Sequence, residues 1–453
     1  MWNRRHILSA FACAGLAGTS MPSVAQPLSG RLRGSLTTAD AGLVPDGLDD
    51  QTDALLRLLS QAAEAGVPVF LPAGNYIVSS LTLPHRVWLS GVPGATRIIH
   101  GGDGHLFLAS DSEQLTLAGL TFDGANRPPS RAGGLLDFRR VGNLSIENCV
   151  IAASGGNGLA LESCAGRVLG NRITRAAEAA IYSVQARGLE IAGNTVTDCS
   201  NGGILVHRWE AAEDGTIVSG NRVERIAATN GGTGQFGNGI NVYRAGGVII
   251  ANNKIADCAF SAIRSNSGSN VQIVGNSCAR SGETAIYSEF AFEGAVISSN
   301  VVDGAANGIS IVNFNEGGRM AVCSGNLVRN LSTTGPYRAD PPGFGVGITV
   351  EADTSVTGNV IENAPRYGMH LGWGPYLRNV VATGNVIRGA GEGIAVTVVE
   401  GAGPALISDN VISDAKGGAI VGHRWTEAVT GDLSATGGGA EFPHLTIARN
   451  HTA

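Results

Sequence analysis

Apolar residues return along this chain on two interleaved short patterns. The first reads apolar, any residue, Gly or Ser, Asn, any residue, then Val or Ile. It occurs as Val168-Leu169-Gly170-Asn171-Arg172-Ile173, Ile191-Ala192-Gly193-Asn194-Thr195-Val196 and Val218-Ser219-Gly220-Asn221-Arg222-Val223, and its Asn returns at 253, 276, 300, 326, 359, 385, 410 and 450. Successive asparagines lie 23 to 40 residues apart, and degenerate copies further back put Cys149, Leu120 and Val92 in the Asn position. The second pattern falls between the asparagines: Gly or Ala, Ile, any residue, then Val or a small residue, as in Gly203-Ile204-Leu205-Val206, Gly239-Ile240-Asn241-Val242, Gly347-Ile348-Thr349-Val350 and Gly393-Ile394-Ala395-Val396. Both alternate with period two, so each predicts a short strand. A unit this small cannot hide its own apolar face and has to stack on its neighbours.

Strand, tight Gly-Asn turn, strand, longer turn and strand make one coil of a single-stranded parallel β-helix, so the fold class is all-β. Roughly thirteen coils at about 4.8 Å each predict a rod of about 60 Å. Asn is expected at the turn because it tolerates left-handed backbone, and its amides are expected to bond along the stack. Ahead of the coils, Leu55, Leu56, Leu58, Leu59, Ala62 and Ala63 predict a helix over 54–65 with Asp50 or a neighbour as N-cap. Strands and turns are expected over 67–71, 72–76 and 81–83.

The first residues differ from the rest. Asn3-Arg4-Arg5-His6-Ile7-Leu8, a small and apolar run through Gly18, and Ser23-Val24-Ala25 before Gln26 predict a twin-arginine export signal cleaved after Ala25. The competing reading is an ordinary secretory signal that carries two arginines. Either way the expectation is a periplasmic or secreted protein, and on the first reading the twin-arginine translocase is its partner during export. No later apolar run reaches the ~18 residues of a membrane span. The expected division is a signal over 1–25, an N-terminal cap with one helix over 26–80, and the parallel β-helix over 81–453.

Composition narrows the classes. Gly supplies 66 of 453 residues, charged residues only 15%, and there is no Gly-x-y period, which excludes collagen and favours a turn-rich β protein. A net charge of -6 without a basic stretch removes the term that drives most nucleic-acid binding. Six cysteines follow Ala25; Cys323 and Cys278 fall in apolar columns of the repeat, and Cys199 and Cys258 in a column with Ala176 and Ala415. Buried free thiols are therefore expected rather than disulfides.

The Asp46-Gly47-Leu48-Asp49-Asp50-Gln51-Thr52-Asp53-Ala54 run, the helix and Leu71-Pro72-Ala73-Gly74-Asn75-Tyr76 resemble the N-terminal cap of pectate-lyase superfamily proteins. The repeats resemble that superfamily's right-handed, pectin-lyase-like coils, and together these cover about residues 33–453. With its signal, the chain also resembles a family of twin-arginine-exported repeat proteins. The resemblance implies the fold, a substrate lying along the exterior strand face, and a structural part for the acidic run. It implies no catalytic set, since the Asp-Pro-His-Asp run of alginate epimerases and the Asn-Thr-Asp and Gly-His-Gly runs of polygalacturonases are missing. Arg127-Pro128-Pro129-Ser130-Arg131 falls one residue short of the pectate-lyase Arg-x-Pro-x-x-Arg pattern and reads as a loop.

In the Gly-Ile-x-Val-x strand, Ile and Val point inward and the x positions outward. One exterior column then runs Leu205, Asn241, Arg264, Tyr287, Ser310, Thr349, His370, Ala395, Val421, and the next His207, Tyr243, Asn266, Glu289, Val312, Glu351, Gly372, Thr397, His423. Polar and aromatic groups concentrate between 239 and 370, and longer connections at 229–238, 314–319, 332–346 and 373–379 would wall a cleft there. Glu289 and Glu351, two coils or about 9 to 10 Å apart, sit near the roughly 6.5 to 9.5 Å gap of an acid and base in inverting glycosidases. Arg264 and Tyr287 could instead handle a proton or a uronate carboxylate in a lyase, with Asn266, Glu289 and Asn313 offering oxygens to calcium. Asn241, Tyr243, Asn266, Asn313, His370 and Trp373 are the candidate substrate-binding residues. The bland reading of each is a solvated strand face. His207-Arg208-Trp209 and His423-Arg424-Trp425 read as a repeated turn packing Trp over Arg. The leading expectation is an exported carbohydrate-active protein that cleaves a polysaccharide by lyase or hydrolase chemistry. The alternatives are a glycan-binding or envelope scaffold without catalysis and, from the export route alone, a metal or cofactor carrier.

Overall fold

The computed structural model describes residues 34–38, 41–128, 133–435 and 439–453. The expected signal over 1–25 and most of the Pro128–Arg131 loop lie outside the described residues. Among the described residues the chain winds as a right-handed parallel β-solenoid of about 14 turns, with one α-helix near its start.

Three ladders of strands run the length of the rod, and each inward column is continuous. On the first, Ile146, Val168, Ile191, Val218, Ile250, Ile273, Ile297, Cys323 and Val356 stack in register. On the second, Ile204, Ile240, Ile263, Ile286, Ile309, Ile348, Met369, Ile394 and Ile420 do the same. Each of these side chains is at most 1% exposed, so each Val, Ile and Met contributes about 1.5 to 3 kcal/mol of apolar burial. The six described cysteines are free and buried in this core, and burial pushes their thiols up, Cys149 to about 11 and Cys323 to about 12.

The turn asparagines depart from the expectation in one respect. Left-handed backbone belongs to the residue before each of them, such as Gly170, Asn252, Ser299 and Arg449, and not to the Asn itself. The Asn side chain turns inward instead. Asn276 Nδ2 donates to Asn300 Oδ1 and to the Ile250 carbonyl, both at 3.0 Å, while its own Oδ1 accepts from the backbone and side-chain amides of Asn253 at 3.0 Å. The same pattern runs from Asn171 to Asn450, and Cys149 enters it through its backbone amide, which donates to Asn171 Oδ1 at 2.9 Å. Val92 faces outward, 36% exposed, because Thr96 Oγ1 takes over the turn by accepting from its amide.

The helix spans Thr52–Ala65, two residues longer at its start than expected, and buries Leu55, Leu58, Leu59 and Ala62 against the end of the solenoid. Gln51 is the N-cap, and Asp50 supports the first turn by accepting from the Thr52 amide at 2.8 Å. Strands Val69–Leu71 and Gly74–Val78 already stack on coil strands. At the other end, Glu427–Asp432 pairs antiparallel with Ile420–Arg424 and covers the outward strand edge. No helix among the described residues is long and apolar enough to cross a membrane.

Candidate functional site

The first exterior column holds in the register expected, and so does the second from His207 to Glu289 and from Thr397 to His423. Leu205, Asn241, Arg264, Tyr287, Ser310, Thr349 and His370 are successive strand partners, with His207, Tyr243, Asn266 and Glu289 beside them. Two long connections, 227–237 and 332–345, rise before these strands, and shorter ones at 312–318 and 372–377 follow. The columns are therefore the floor of a groove rather than an open face.

Arg264 stands at its centre and is locked. Its Nε and Nη2 donate to the two oxygens of Glu289 at 2.7 and 3.1 Å, its Nη1 donates to Glu283 Oε2 at 3.2 Å, and its guanidinium lies 5.0 Å above the Tyr287 ring. Burial works against the charge of Arg264, and the carboxylates of Glu289 and Glu283 more than offset it, so its pKa is raised. Glu283 is 1% exposed; burial raises its carboxyl, Arg264 opposes that, and Tyr337 Oη donates to its second oxygen. Tyr337 comes from the 332–345 loop, where it stacks on Phe260 and meets Phe344 edge-on. Gly234, at φ +131° in the 227–237 connection, closes over the guanidinium: a Cβ there would stand 1.8 Å from Nη1. Only glycine fits both that backbone and that contact.

Two cavities adjoin this lock. The first, about 370 Å³, is lined by His207, Asn241, Tyr243, Asn266, Thr233–Gln235 and Arg264. Neither His207 Nε2 nor Asn241 Oδ1 has a hydrogen-bond partner in the protein. Burial pulls the His207 imidazole down to about 4, so it is neutral at neutral pH. Tyr182 and Tyr243 hold the ring edge-on at 5.5 and 5.7 Å. The second cavity, about 270 Å³, contains Glu351, Tyr287, Ser310, Asn313, His370 and Trp373, and is roofed by Tyr337, Asp340, the 341–343 turn and Phe344. Asn307 pins that roof by accepting from the amides of Gly345 and Val346 at 3.0 Å. His370 is 3% exposed with Nδ1 unpartnered in the protein, and burial beside His423 lowers it to about 3.

Glu351 is the perturbed acid of the groove. Its side chain is buried, and burial pushes its carboxyl up to about 7 against the opposing pull of the Phe314 and Asn313 amides. The Phe314 amide donates to Oε2 at 2.7 Å, which fixes the carboxyl against the cavity wall. Such a group is about half protonated at neutral pH and can both hold and give up its proton, which is the requirement for a general acid.

Glu289 and Glu351 stand two coils apart as expected, but they differ in state, because Arg264 and the Asn266 amide occupy Glu289. The oxygens proposed for calcium are likewise engaged: Asn313 Oδ1 accepts from the Phe290 amide at 3.1 Å. Among the described residues no group of three or more His, Cys, Asp or Glu converges as metal ligands. The two His-Arg-Trp turns are not equivalent. Arg208 faces buried Asp214 at 3.5 Å, whereas Arg424 pairs with Glu400 at 2.6 Å, and Trp425 packs on Trp373 rather than on its arginine. A larger hollow, about 560 Å³, lies on the first-strand face over Val296 and Val322, but its carboxylate, Asp353, is bound to Arg378 and Asn379. It offers a shallow apolar surface and no free acid.

Glu283, Tyr337 and Asp340 were not singled out from the sequence. Glu283 occupies the position held by Asn201, Gly237, Phe260 and Ala306 in other coils, and a carboxylate in that column is the signal that would have found it. Tyr337 and Asp340 sit in a connection outside the repeat, so periodicity says nothing about where they land.

Comparison with known proteins agrees with this architecture. None of the curated proteins matches the chain in sequence. Among solved structures it is similar to a PL6 alginate lyase in complex with a trisaccharide, at 12% identity, over 93% of this chain and 95% of that one, with a TM-score of 0.51. It is also similar to the pre-mature gene product 12 of bacteriophage phi29, at 15% identity over 88% and 58% with a TM-score of 0.53. A third likeness is to the A-module of mannuronan C-5 epimerase AlgE4 of Azotobacter vinelandii, at 17% identity over 91% and 99% with a TM-score of 0.48. These identities speak for fold alone. The family model described as a right handed beta helix region matches residues 105–236 and 233–376, more than half of the chain and nearly all of the groove floor, and the chain belongs to that family.

Proposed function

We propose that the groove binds a polysaccharide and cleaves it, with Glu351 protonating the oxygen of the bond that breaks. The observation that carries this reading is the buried Glu351 carboxyl, raised to about 7 by desolvation and facing a sugar-sized cavity. Asp340 lines the same cavity from the roof and is the second carboxylate, taking the proton of the water that attacks the anomeric carbon. Tyr287, Tyr337, Phe344 and Trp373 supply the aromatic surface on which apolar sugar faces rest. The fold supports the reading as well, since an alginate lyase is among the solved structures it resembles.

The full chain, incubated with neutral and uronate-rich polysaccharides, is expected to generate new reducing ends on at least one of them. Glu351→Gln is expected to lower that rate by about 10²- to 10⁴-fold, the usual worth of a positioned general acid. Unchanged turnover in Glu351→Gln would remove the mechanism. A second reading, glycan binding without cleavage, is favoured by one observation: Glu289, the carboxylate two coils from Glu351, is consumed by Arg264. Saturable binding with no new chain ends across the panel would select it.

Export through the twin-arginine route belongs to the same proposal and rests on the sequence of residues 1–25. A reporter fused behind that segment is expected to leave the cytoplasm, and replacement of both Arg4 and Arg5 by Lys is expected to retain it.

A further inference from the structure

The groove's charge and its unpartnered atoms together constrain what the polysaccharide is. Among the described residues lining the two cavities, Arg264 is the one Lys or Arg. Its charge is matched by Glu289 and exceeded once Glu283 is counted, and all three of its nitrogens already donate. Glu351 and Asp340 add acid on the far side of the lock, and no cation lines that cavity.

The groups without partners point the same way. His207 and Asn241 line the first cavity and His370 the second, and His207 Nε2, Asn241 Oδ1 and His370 Nδ1 are buried without a hydrogen-bond partner in the protein. Burial keeps both imidazoles uncharged at neutral pH. A neutral ring nitrogen and an amide oxygen suit a hydroxyl, which donates and accepts, and give a carboxylate no charge to pair with. Elimination makes the opposite demand: the uronate carboxylate must be neutralised so that the neighbouring C–H can lose its proton.

We infer that the glycan occupying this groove is uncharged between Asn241 and Glu351, that uronates are excluded from it, and that cleavage there is hydrolysis rather than elimination. Water adds across the glycosidic bond, its hydroxyl goes to the anomeric carbon and its proton to Asp340, and the Glu351 proton goes to the leaving oxygen. The inference rests on the polysaccharide reading above and specifies its substrate. The stretch covers four strand steps, Asn241 to Arg264 to Tyr287 to Ser310 to Thr349, or about 19 Å at strand spacing. That span sets a tetrasaccharide as the probe.

The test titrates the full chain with tetrasaccharides of glucose, mannose, galactose and xylose and, separately, of galacturonate, mannuronate and guluronate, followed by ligand-observed NMR and tryptophan fluorescence. At least one neutral tetramer is expected to bind, with every uronate tetramer about tenfold weaker or more. Its affinity is expected to hold within about twofold between low and physiological salt, because no charge pair is made. Glu283→Gln, which removes excess negative charge while keeping the side chain's shape, is expected to strengthen uronate binding by about threefold or more. A uronate tetramer that binds more tightly than its neutral counterparts overturns the inference and leaves the polysaccharide reading standing. Failure of every neutral and charged glycan to bind overturns both.

Discussion

The asparagine ladder under the turns and the polar stack on the groove floor are both buried, and both take about one residue from each coil. They differ in where their hydrogen bonds go. From Asn171 to Asn410 every ladder amide donates to the next asparagine and to a backbone carbonyl. On the groove floor His207, Asn241 and His370 leave an atom without a protein partner, and Glu351 is held where its ionised form is costly. A buried polar group left unpaired costs about 1 to 3 kcal/mol, so the ladder stabilises the rod while the floor tolerates a cost that stability alone does not explain. Polarity that closes on itself is architecture; polarity left unpaired beside a cavity marks a site.

The comparison is broken most severely at Arg264, the place where the groove floor is closed. Arg264→Ala leaves Glu283 and Glu289 buried together without a counter-charge, and a loss of about 3 to 5 kcal/mol is expected in urea unfolding. Recovery of part of that loss in the triple variant with Glu283→Gln and Glu289→Gln would identify the cause. The ladder comes next. Asn276→Ala strands the Asn253 amides and the Ile250 carbonyl, and about 3 kcal/mol is expected, with hydrogen exchange accelerating first in the turns around 253 and 300.

Glu351 gives a pH-dependent difference. A carboxyl raised from 4.5 to about 7 binds more protons folded than unfolded, so its contribution to stability is present below about pH 4.5 and is lost as pH rises toward 7. His207 and His370, lowered from 6.5 to about 4 and 3, act with the opposite sign over an overlapping window, their stabilisation present above about pH 6.5 and lost as pH falls. The stability of wild type minus that of Glu351→Gln cancels the histidines, and this difference is expected to fall by about 2 to 3 kcal/mol between pH 4.5 and 7. The smallest effect is expected at Asn241. Asn241→Ala removes an oxygen that bonds nothing in the protein and should change stability by less than about 0.5 kcal/mol, while weakening oligosaccharide binding by about fivefold to tenfold.

What the sequence made legible follows the same divide. The apolar columns, the Asn ladder and the outward residues of each strand are set by a period of two within the strand and one unit per coil, so Asn241, Arg264, Tyr287 and His370 fall in one file as expected. Ionic state was not legible. Glu289 and Glu351 look alike in their column, yet one is bonded on both oxygens by Arg264 and the other meets only a backbone amide, because Glu283 from its own strand, and Gly234 and Tyr337 from connections outside the repeat, converge on Arg264. The left-handed residue was assigned to the Asn when it lies one position earlier: the Asn side chain must turn inward to join the ladder, and the preceding residue, most often Gly, takes the turn.

The central claim is that Glu351 titrates near 7, so that about half of the molecules hold its proton at neutral pH and can donate it in the groove. Carbon-13 NMR of the glutamate side-chain carboxyls across pH 3 to 9, with Glu351→Gln identifying the resonance, tests it directly. A midpoint near 7 is the predicted result. A midpoint in the ordinary carboxylate range, about 4 to 5, would contradict the account, since a carboxylate ionised at neutral pH has no proton to give.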